Sequence, residues 1–401
     1  MKTSELFVRC LESEEVQHVF GLPGEENLDL LHALSESPSI RFIVTQDERW
    51  AAFMANAYGR LTGKPGVCLS TLGPGATNLL TGVADSLLDF SPMVAVTAQV
   101  GISKMHKESH QYVDILSAFR PVTKWNVRIE NPATVPEITR KAFRTASFEK
   151  PGPCHIEFPQ DVAAADAEGT PLAHETTRYS EPGEEILGKA LSMIRDAKMP
   201  FILAGQGIIR GRASGDLVRF AEKTNIGVIT TFMGMGAVPA DHECFISTIG
   251  LQSRDYVSCG LDRADLIIAV GYDPVEFSPY YWNADGKKSV VHIHYTSSDV
   301  DSYYPALELV GDIKTTLSFL SERMTSAKDT RYYHALKLFT ERALHFSQKG
   351  YPLKPLRVVH DIRKALGRSD ILISDVGAHK IWIARFYPTY AENTTLISNG
   401  F

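Results

Sequence analysis

The sequence predicts an α/β protein composed of successive doubly wound parallel-sheet domains. Short apolar runs that suit buried strands alternate with helical patterns over roughly the first 160 residues, and the same alternation resumes near residue 184. Because parallel strands need crossover connections, this alternation indicates parallel sheets with helices on both faces. The length of 401 residues indicates two or three domains, at roughly 150 residues per domain.

The first predicted domain covers residues 1–165. A helical pattern follows Thr3, and the Ala-rich segment Trp50 to Leu61 predicts another helix that ends near Gly63. Short apolar runs predict the strands, which are Val19 to Gly21, Ile40 to Val44, Gly66 to Ser70, Met93 to Ala98 and Cys154 to Phe158.

A change in composition marks the end of this domain. Residues 166–183 are rich in small, acidic and turn residues and lack apolar periodicity, which is typical of a linker. A second α/β pattern over residues 184–328 predicts a Rossmann-like domain. Its predicted strands are Pro200 to Ala204, Gly227 to Thr231, Asp265 to Val270 and Ser289 to Ile293. Residues 329–401 predict a polar helix at Thr330 to Ser347, then helix Leu356 to Leu366, strand Asp370 to Ser374 and the start of a third domain.

Charge and composition exclude several classes of protein. The net charge of -6, with 41 Lys and Arg against 47 Asp and Glu, gives no basic surface for nucleic acid. No apolar stretch approaches the roughly 20 residues of a membrane span. The five cysteines are scattered and form no CxxC pair, so we expect reduced thiols and a cytoplasmic protein.

Two segments are candidates for ligand binding. Ser70 to Asn78 reads as a strand, a Gly-Pro-Gly turn and a helix beginning near Thr77, where free backbone N–H groups favour a polar or anionic ligand. Taken alone, it is more typical of an ordinary strand-to-helix turn, which needs glycine in any α/β sheet. Glu48 follows a predicted strand at the start of a helix, where ligand-binding side chains gather in parallel sheets. It could also serve only as a helix-capping charge, and Asp47 competes with it for either role.

Other candidates are weaker. His106, His110 and His155 lack the spacing of a zinc site, and His292 and His294 share one face of a strand without a third ligand. No metal site is predicted within the chain. The lone GxG at Gly205 to Gly207 leaves a nucleotide-binding dehydrogenase as a weak alternative.

The ordered motifs resemble the thiamine diphosphate enzymes of the acetolactate synthase family. The resemblance runs along the whole chain and depends on seven segments of the first domain and two of the second. Those of the first domain are Val19 to Gly24, Asp47 to Ala55, Gly59 to Gly66, Leu72 to Gly82, His110 with Gln111, Arg120 to Lys124, and Gly152 to Val162. Those of the second are Val270 to Phe277 and Glu308 to Asp312. The last two segments look most like the catabolic enzymes.

The resemblance implies a three-domain subunit with a pyrimidine-binding, a central and a diphosphate-binding domain. In the family, a glutamate matching Glu48 hydrogen-bonds N1′ of the cofactor's aminopyrimidine and promotes proton loss from the thiazolium C2. The resemblance assigns Gln111 to the reacting carbons. It assigns cofactor contacts to two groups, Pro23, Gly24, Gly73 and Asn78 near the pyrimidine, and Val376, Gly377, Ala378 and His379 near the diphosphate.

The implied reaction is the condensation of two 2-keto acids with loss of carbon dioxide, which converts pyruvate to 2-acetolactate. The implied assembly is a homodimer or homotetramer, with no nucleic acid or membrane partner. Other thiamine diphosphate decarboxylases or lyases remain an alternative, because Glu48 does not distinguish them. Neither the second 2-keto acid nor a regulatory subunit can be read from the sequence.

Three departures from the family pattern qualify these expectations. The chain stops at Phe401, before the Gly-Asp-Gly…Asn segment that holds magnesium, so the chain alone is expected to bind the cofactor poorly and a non-catalytic product is a second alternative. Gln46-Asp47 and Arg49-Trp50 replace the usual residues around the glutamate, and Trp50 is expected to add bulk there. Gly271 to Pro274 replaces the flavin-associated segment, so FAD is not expected.

Overall fold

The computed structural model describes residues 1–250, 256–298, 303, 305–325, 327–344 and 350–399. It divides into two compact units, the first covering residues 1–178 and the second beginning at Tyr179.

The first unit is a six-stranded parallel sheet with the order β2-β1-β3-β4-β6-β5. Its strands are β1 (His18–Gly21), β2 (Arg41–Val44), β3 (Gly66–Ser70), β4 (Met93–Gln99), β5 (Trp125–Arg128) and β6 (Pro153–Pro159). Its helices are α1 (Thr3–Ser13), α2 (Leu28–Ser35), α3 (Glu48–Thr62), α4 (Pro74–Leu88), α5 (Ile115–Phe119), α6 (Val135–Ser147) and α7 (Gln160–Ala164).

The burial of each strand corresponds to its position in this order. Strands β3, β4 and β6 are buried along their whole length and lie inside the sheet, whereas β2 and β5 lie at its edges and are partly exposed. Alternate side chains of a strand face opposite sides of the sheet. Val67 and Leu69 therefore pack with α1 and α6, while Cys68 packs with α3 and α4 on the other face.

The topology brings the carboxyl ends of four neighbouring strands to one edge. Strands β2, β1, β3 and β4 are adjacent and parallel, so the segments that follow Val44, Gly21, Ser70 and Gln99 leave the sheet side by side. The strand order reverses between β1 and β3, and open α/β sheets bind ligands at such a switch point.

The second unit contains another six-stranded parallel sheet, with the order β12-β11-β10-β7-β8-β9. Its strands are β7 (Pro200–Ala204), β8 (Val228–Thr231), β9 (Phe245–Ile249), β10 (Leu266–Val270), β11 (Ser289–His294) and β12 (Leu307–Val310). Its helices are α8 (Glu184–Asp196), α9 (Gly207–Arg210), α10 (Ser214–Thr224), α11 (Tyr256–Leu261), α12 (Ile313–Arg323) and α13 (Arg331–Leu344). The unit ends with α14 (Pro355–Ala365), β13 (Leu372–Ser374), α15 (Ala378–Phe386) and β14 (Thr395–Ile397), in which the two strands form a small parallel sheet.

The predicted α/β class with parallel sheets is confirmed. Among the described residues, four strands escaped the sequence analysis, namely β5, β9, β12 and β14, because each is short, mixes polar with apolar residues and lies at a sheet edge. Helix α4 begins at Pro74 rather than near Thr77, because the fixed φ of proline suits the first helical turn. The polar helix predicted to reach Ser347 is described as far as Leu344, and its last residues lie outside the described part.

Two further expectations concern membranes and thiols. Within the described part of the chain, no helix has both the length and the apolar character needed to cross a bilayer. Cys10, Cys68, Cys154 and Cys244 are free thiols, and the side chain of Cys259 lies outside the described residues.

Candidate active site

Glu48 lies just beyond the carboxyl end of β2, as the first residue of α3. Its side chain is buried, with 6% of its surface exposed. The Glu48 carboxylate accepts a hydrogen bond at Oε2 from the side-chain amide of Asn78, over 3.0 Å. The structure therefore joins the glutamate that follows β2 to a residue of the helix that follows β3.

Asp47 has a separate role. Its carboxylate caps α3 by accepting a hydrogen bond of 2.8 Å from the backbone N–H of Arg49, and it also pairs with the Arg49 guanidinium. These hydrogen bonds from Arg49 lower the pKa of Asp47 to about 2. Asp47 is thus occupied as a helix cap, whereas the neighbouring Glu48 is turned inward.

The glycine turn after β3 provides the opposite wall. Gly75 lies so close to Glu48 that a Cβ atom built on it would be 3.1 Å from the Glu48 Oε1 and 2.9 Å from the Thr71 Cγ2. Carbon atoms in contact normally stay about 3.5–4.0 Å apart. Glycine at position 75 therefore leaves room beside the carboxylate, a role that the sequence analysis did not assign to it.

Helices α3 and α4 hold this arrangement together. Ala51, Ala52 and Ala55 of α3 are fully buried, and a Cβ on Gly82 of α4 would be 2.6 Å from the Ala52 Cβ. The buried amide of Asn56 also donates a hydrogen bond of 2.6 Å to Asp85. The small residues permit a close helix pair, which fixes Glu48 relative to Asn78.

The turn after β1 lies beside the same glycine turn. Pro23 is exposed, and a Cβ on Gly24 would meet the Thr71 side chain at 2.4 Å. The Thr71 hydroxyl in turn donates a hydrogen bond of 2.7 Å to Glu26. Thr71 and Glu26 were missed as site residues, although Thr71 lies inside the glycine motif, which was the available signal.

Gln111 lies on the segment between β4 and α5, and it faces Gly73. Its backbone has a left-handed φ of 56°. A Cβ on Gly73, whose own φ is 52°, would be 2.6 Å from the Gln111 carbonyl oxygen. Only glycine combines this left-handed conformation with such a close approach at low cost. The structure therefore places Gln111 against the turn that also carries Gly75.

Trp50 differs from the expectation that it would add bulk beside Glu48. Its side chain is 53% exposed, whereas Glu48 is buried. Residues two positions apart on a helix do not face each other, so the two side chains lie on different faces of α3.

The residues assigned to the diphosphate lie in the second unit. Val376, Gly377, Ala378 and His379 follow strand β13, are exposed, and include the first turn of α15. The Val376 N–H donates to the Asp375 carboxylate over 2.7 Å. This is a turn between a strand and a helix, in which backbone N–H groups at the helix start favour an anion.

The GxG turn after β7 is filled by the chain itself. The Gly207 N–H donates to the Gly271 carbonyl over 2.8 Å, and the Gln206 N–H donates to the Glu276 carboxylate over 3.0 Å. Burial raises the pKa of Glu276 well above its ordinary value, and the charge of Asp273 acts in the same direction. The Glu276 carboxyl group thus accepts the N–H group that a phosphate would need at this turn.

Three of the five histidines considered as metal ligands, His155, His292 and His294, contact neighbouring protein groups. His155 stacks on Phe119 with ring centroids 4.0 Å apart, and its Nε2 lies 2.8 Å from the Thr97 hydroxyl. His292 and His294 share one face of β11, as the sequence predicted, and their rings stack at 5.4 Å.

Comparison with known proteins gives the family. Residues 1–118 match the model of the thiamine pyrophosphate enzyme N-terminal TPP binding domain, and residues 187–320 match that of the thiamine pyrophosphate enzyme central domain. The acetolactate synthase of Bacillus subtilis (strain 168) is 32% identical over 406 residues, which is 99% of this chain and 71% of that protein. The chain belongs to the acetolactate synthase family.

Other members of the family match equally well. The catabolic acetolactate synthase of Raoultella terrigena is 34% identical, over 99% of this chain and 72% of that protein. A probable acetolactate synthase large subunit from Methanocaldococcus jannaschii is 33% identical, over 100% and 71% of the two chains. The N-terminal match includes Glu48, Gly73, Asn78 and Gln111, whereas Val376 to His379 lie outside both domain matches.

Proposed function

We propose that this protein is a thiamine diphosphate-dependent carboligase that condenses two 2-keto acids with loss of carbon dioxide and forms 2-acetolactate from pyruvate. The observation that carries the proposal is the buried Glu48 carboxylate, bonded to Asn78 and facing the space that Gly75 leaves open. Membership of the acetolactate synthase family supports the same reaction.

The residues present fit the pyrimidine half of the cofactor. Among the described residues, the hydrogen bond that Glu48 accepts comes from Asn78 and uses Oε2. A carboxylate oxygen can accept further hydrogen bonds, so Oε1 remains able to accept one from a ring nitrogen. The absence of a side chain at Gly75 leaves its backbone close to this carboxylate, while Gly24 lies against Thr71, and Gly73, on the same turn as Gly75, lies against Gln111.

When bound, thiamine diphosphate supplies the carbanion chemistry. In this proposal, Glu48 would hydrogen-bond the pyrimidine N1′, and Asn78 would keep the Glu48 carboxylate oriented. Gln111 offers its side-chain amide to the 2-keto acid from the opposite turn. Val376 to His379 would hold the diphosphate, with N–H groups at the start of α15 as donors. The Val376 N–H already donates to Asp375, so the donors would come from the residues that follow it. The resemblance also implies a magnesium ion, which takes oxygen ligands in proteins.

Glu276 supports the proposal that the protein holds no FAD. Its carboxylate accepts the Gln206 N–H in the turn after β7, where a dinucleotide phosphate would otherwise accept it.

Assembly and location are further parts of the proposal. We expect a homodimer or homotetramer, because helix α3 exposes Trp50, Phe53 and Met54 at 53%, 38% and 40%. Sedimentation as a monomer at micromolar concentration would contradict this. The four free thiols support a reducing compartment such as the cytoplasm.

The deciding experiment compares Glu48→Gln with Asp47→Asn in the complete gene product. Both variants replace a carboxylate by an amide of the same shape at neighbouring positions. With thiamine diphosphate and magnesium, Glu48→Gln should lower acetolactate formation from pyruvate by about 10²–10⁴-fold, the usual range for a general acid–base group. It should also slow deuterium exchange at the cofactor C2, whereas Asp47→Asn should retain both activities. Undiminished turnover by Glu48→Gln would refute the proposal.

A further inference from the structure

The segment that carries Gln111 lies between two firmly bound ends. It leaves the sheet at Gln99, the last residue of β4, and enters α5 at Ile115. Lys104, Lys107 and His110 are exposed along it. Gln111 itself has a left-handed backbone and packs against Gly73, so its position depends on how the chain on either side is held.

Gln99 restrains the part of this segment that follows Gln111. Its side chain is fully buried, and its Nε2 donates a hydrogen bond of 3.1 Å to the carbonyl oxygen of Val113, two residues beyond Gln111. Its Oε1 accepts a hydrogen bond of 3.0 Å from the Val100 N–H. A single amide therefore links the end of β4 to the backbone that follows Gln111.

The amide of Gln99 is itself oriented by a buried ion pair. Its Nε2 lies 3.4 Å from Oε2 of Glu157, a fully buried residue of β6, and Glu157 pairs with Arg128 of β5. Because a carboxylate only accepts hydrogen bonds, Glu157 favours the orientation in which Gln99 turns its NH₂ group toward Val113 and Glu157. Three adjacent strands thus contribute one residue each to this chain of contacts.

We propose that Gln99 is a positioning residue for Gln111, held in orientation by Glu157 and Arg128. The hydrogen bond to Val113 restrains the segment after Gln111, while Gly73 admits the Gln111 backbone on the other side. The role assigned to Gln99 rests on the proposed function only through the task of Gln111. The restraint of the segment can be measured without cofactor or substrate.

The first test is limited proteolysis of the complete protein without cofactor. Gln99→Met keeps the length of the side chain and removes its hydrogen bonds. Asn126→Leu is the matched control, because Asn126 also donates an amide hydrogen bond to a backbone carbonyl, that of Leu116, over 2.6 Å. Gln99→Met should speed tryptic cleavage after Lys104 and Lys107 by about tenfold, which corresponds to the loss of one net hydrogen bond. Asn126→Leu should leave these rates within about twofold of wild type.

The second test measures turnover and cofactor binding. Gln99→Met should lower kcat by about tenfold while the affinity for thiamine diphosphate stays unchanged, because Glu48 and Asn78 are untouched. In a Gln111→Ala background, Gln99→Met should cause no further loss of kcat. If Gln99→Met does not fold, Gln99→Asn, which withdraws the amide by one methylene, serves for both tests.

The outcomes separate the two proposals. Cleavage at wild-type rates in the Gln99 variant, or an equal acceleration in Asn126→Leu, would overturn the role of Gln99. Additive losses of kcat in the double variant would overturn it as well. If the wild-type protein forms no acetolactate, the proposed function is contradicted instead. The proteolysis experiment would still show whether Gln99 restrains the segment that carries Gln111.

Discussion

Replacing Gly75 with alanine tests whether the space beside Glu48 is needed for function. The added Cβ would be 2.9 Å from the Thr71 Cγ2 and 3.1 Å from the Glu48 Oε1, so these groups must move by about 0.5 Å to reach normal contact distances. Such overpacking costs about 1–3 kcal/mol. Alanine recovers about 1 kcal/mol in a helix relative to glycine, so the net loss of stability should be about 0–2 kcal/mol.

The effect on function should exceed the effect on stability. A displacement of about 1 Å in a catalytic constellation can cost about 10²-fold in rate, so a shift of half that size should lower acetolactate formation by about tenfold or more. The control is Gly188→Ala in helix α8, where nothing lies within 4 Å of the new Cβ. Gly188→Ala should raise the free energy of unfolding by about 0.5–1 kcal/mol and keep full activity.

Urea unfolding, titration with thiamine diphosphate and pyruvate turnover would be measured on both variants and on wild type. The reasoning is refuted if Gly75→Ala binds the cofactor and turns over pyruvate as wild type does. It is also refuted if activity falls only in proportion to the unfolded fraction, since the alanine would then act through global stability rather than through Glu48.

Two further predictions concern buried titratable groups in the first unit. Burial raises the pKa of the Glu157 carboxyl, and the charge of Arg128 opposes this rise. Protonated Glu157 therefore stabilises the folded protein at low pH, and this contribution to the free energy of unfolding is lost as pH rises through the raised pKa. Arg128→Met removes the opposing charge and leaves Glu157 ionised and unpaired at pH 8. The variant should lose about 3 kcal/mol in the free energy of unfolding at pH 8 and clearly less at pH 5, where Glu157 is more readily protonated. Equal losses at the two pH values would contradict this. Burial lowers the pKa of His155 to about 3 from an ordinary 6.5. The stability that neutral His155 contributes to the folded protein is therefore present above pH 6.5 and is lost as pH falls below that value. The stability of wild type relative to His155→Phe should therefore fall by up to about 1.4 kcal/mol per pH unit below pH 6.5, and a pH-independent difference in urea unfolding would show that His155 is not buried in its neutral form.

Much of the fold could be predicted because local patterns report burial. Strand β3 reads as a continuous apolar run since both of its faces are covered, and the structure gives it the predicted bounds, Gly66–Ser70. The edge strand β5, with the sequence WNVR, carries no such signal, because partial exposure permits polar residues. Edge strands depend on the neighbour with which they pair, here β6, which lies some 25 residues further along the chain.

The candidate site was predictable in part. The order of the motifs was enough to indicate the family and to select Glu48, Asn78, Gly73 and Gln111, whose catalytic roles remain proposals. Without the resemblance, local pattern could not choose between Asp47 and Glu48, since both follow a strand at a helix start. The helix itself separates them, because its capping position directs Asp47 to the Arg49 N–H and the next position turns Glu48 inward.

By itself, the sequence determined the parallel α/β architecture, the family and the segments that carry the site, because apolar periodicity and ordered motifs are properties of neighbouring residues. Only the tertiary structure decided the contacts between those segments. Gly75 beside Glu48, Gly73 against Gln111, and Gln99 bonded to Val113 and Glu157 depend on the strand order β2-β1-β3-β4-β6-β5. That order brings residues that are distant in the chain to one edge of the sheet. Steric fit and hydrogen bonding depend on distances of a few ångströms in space, which the sequence alone does not show.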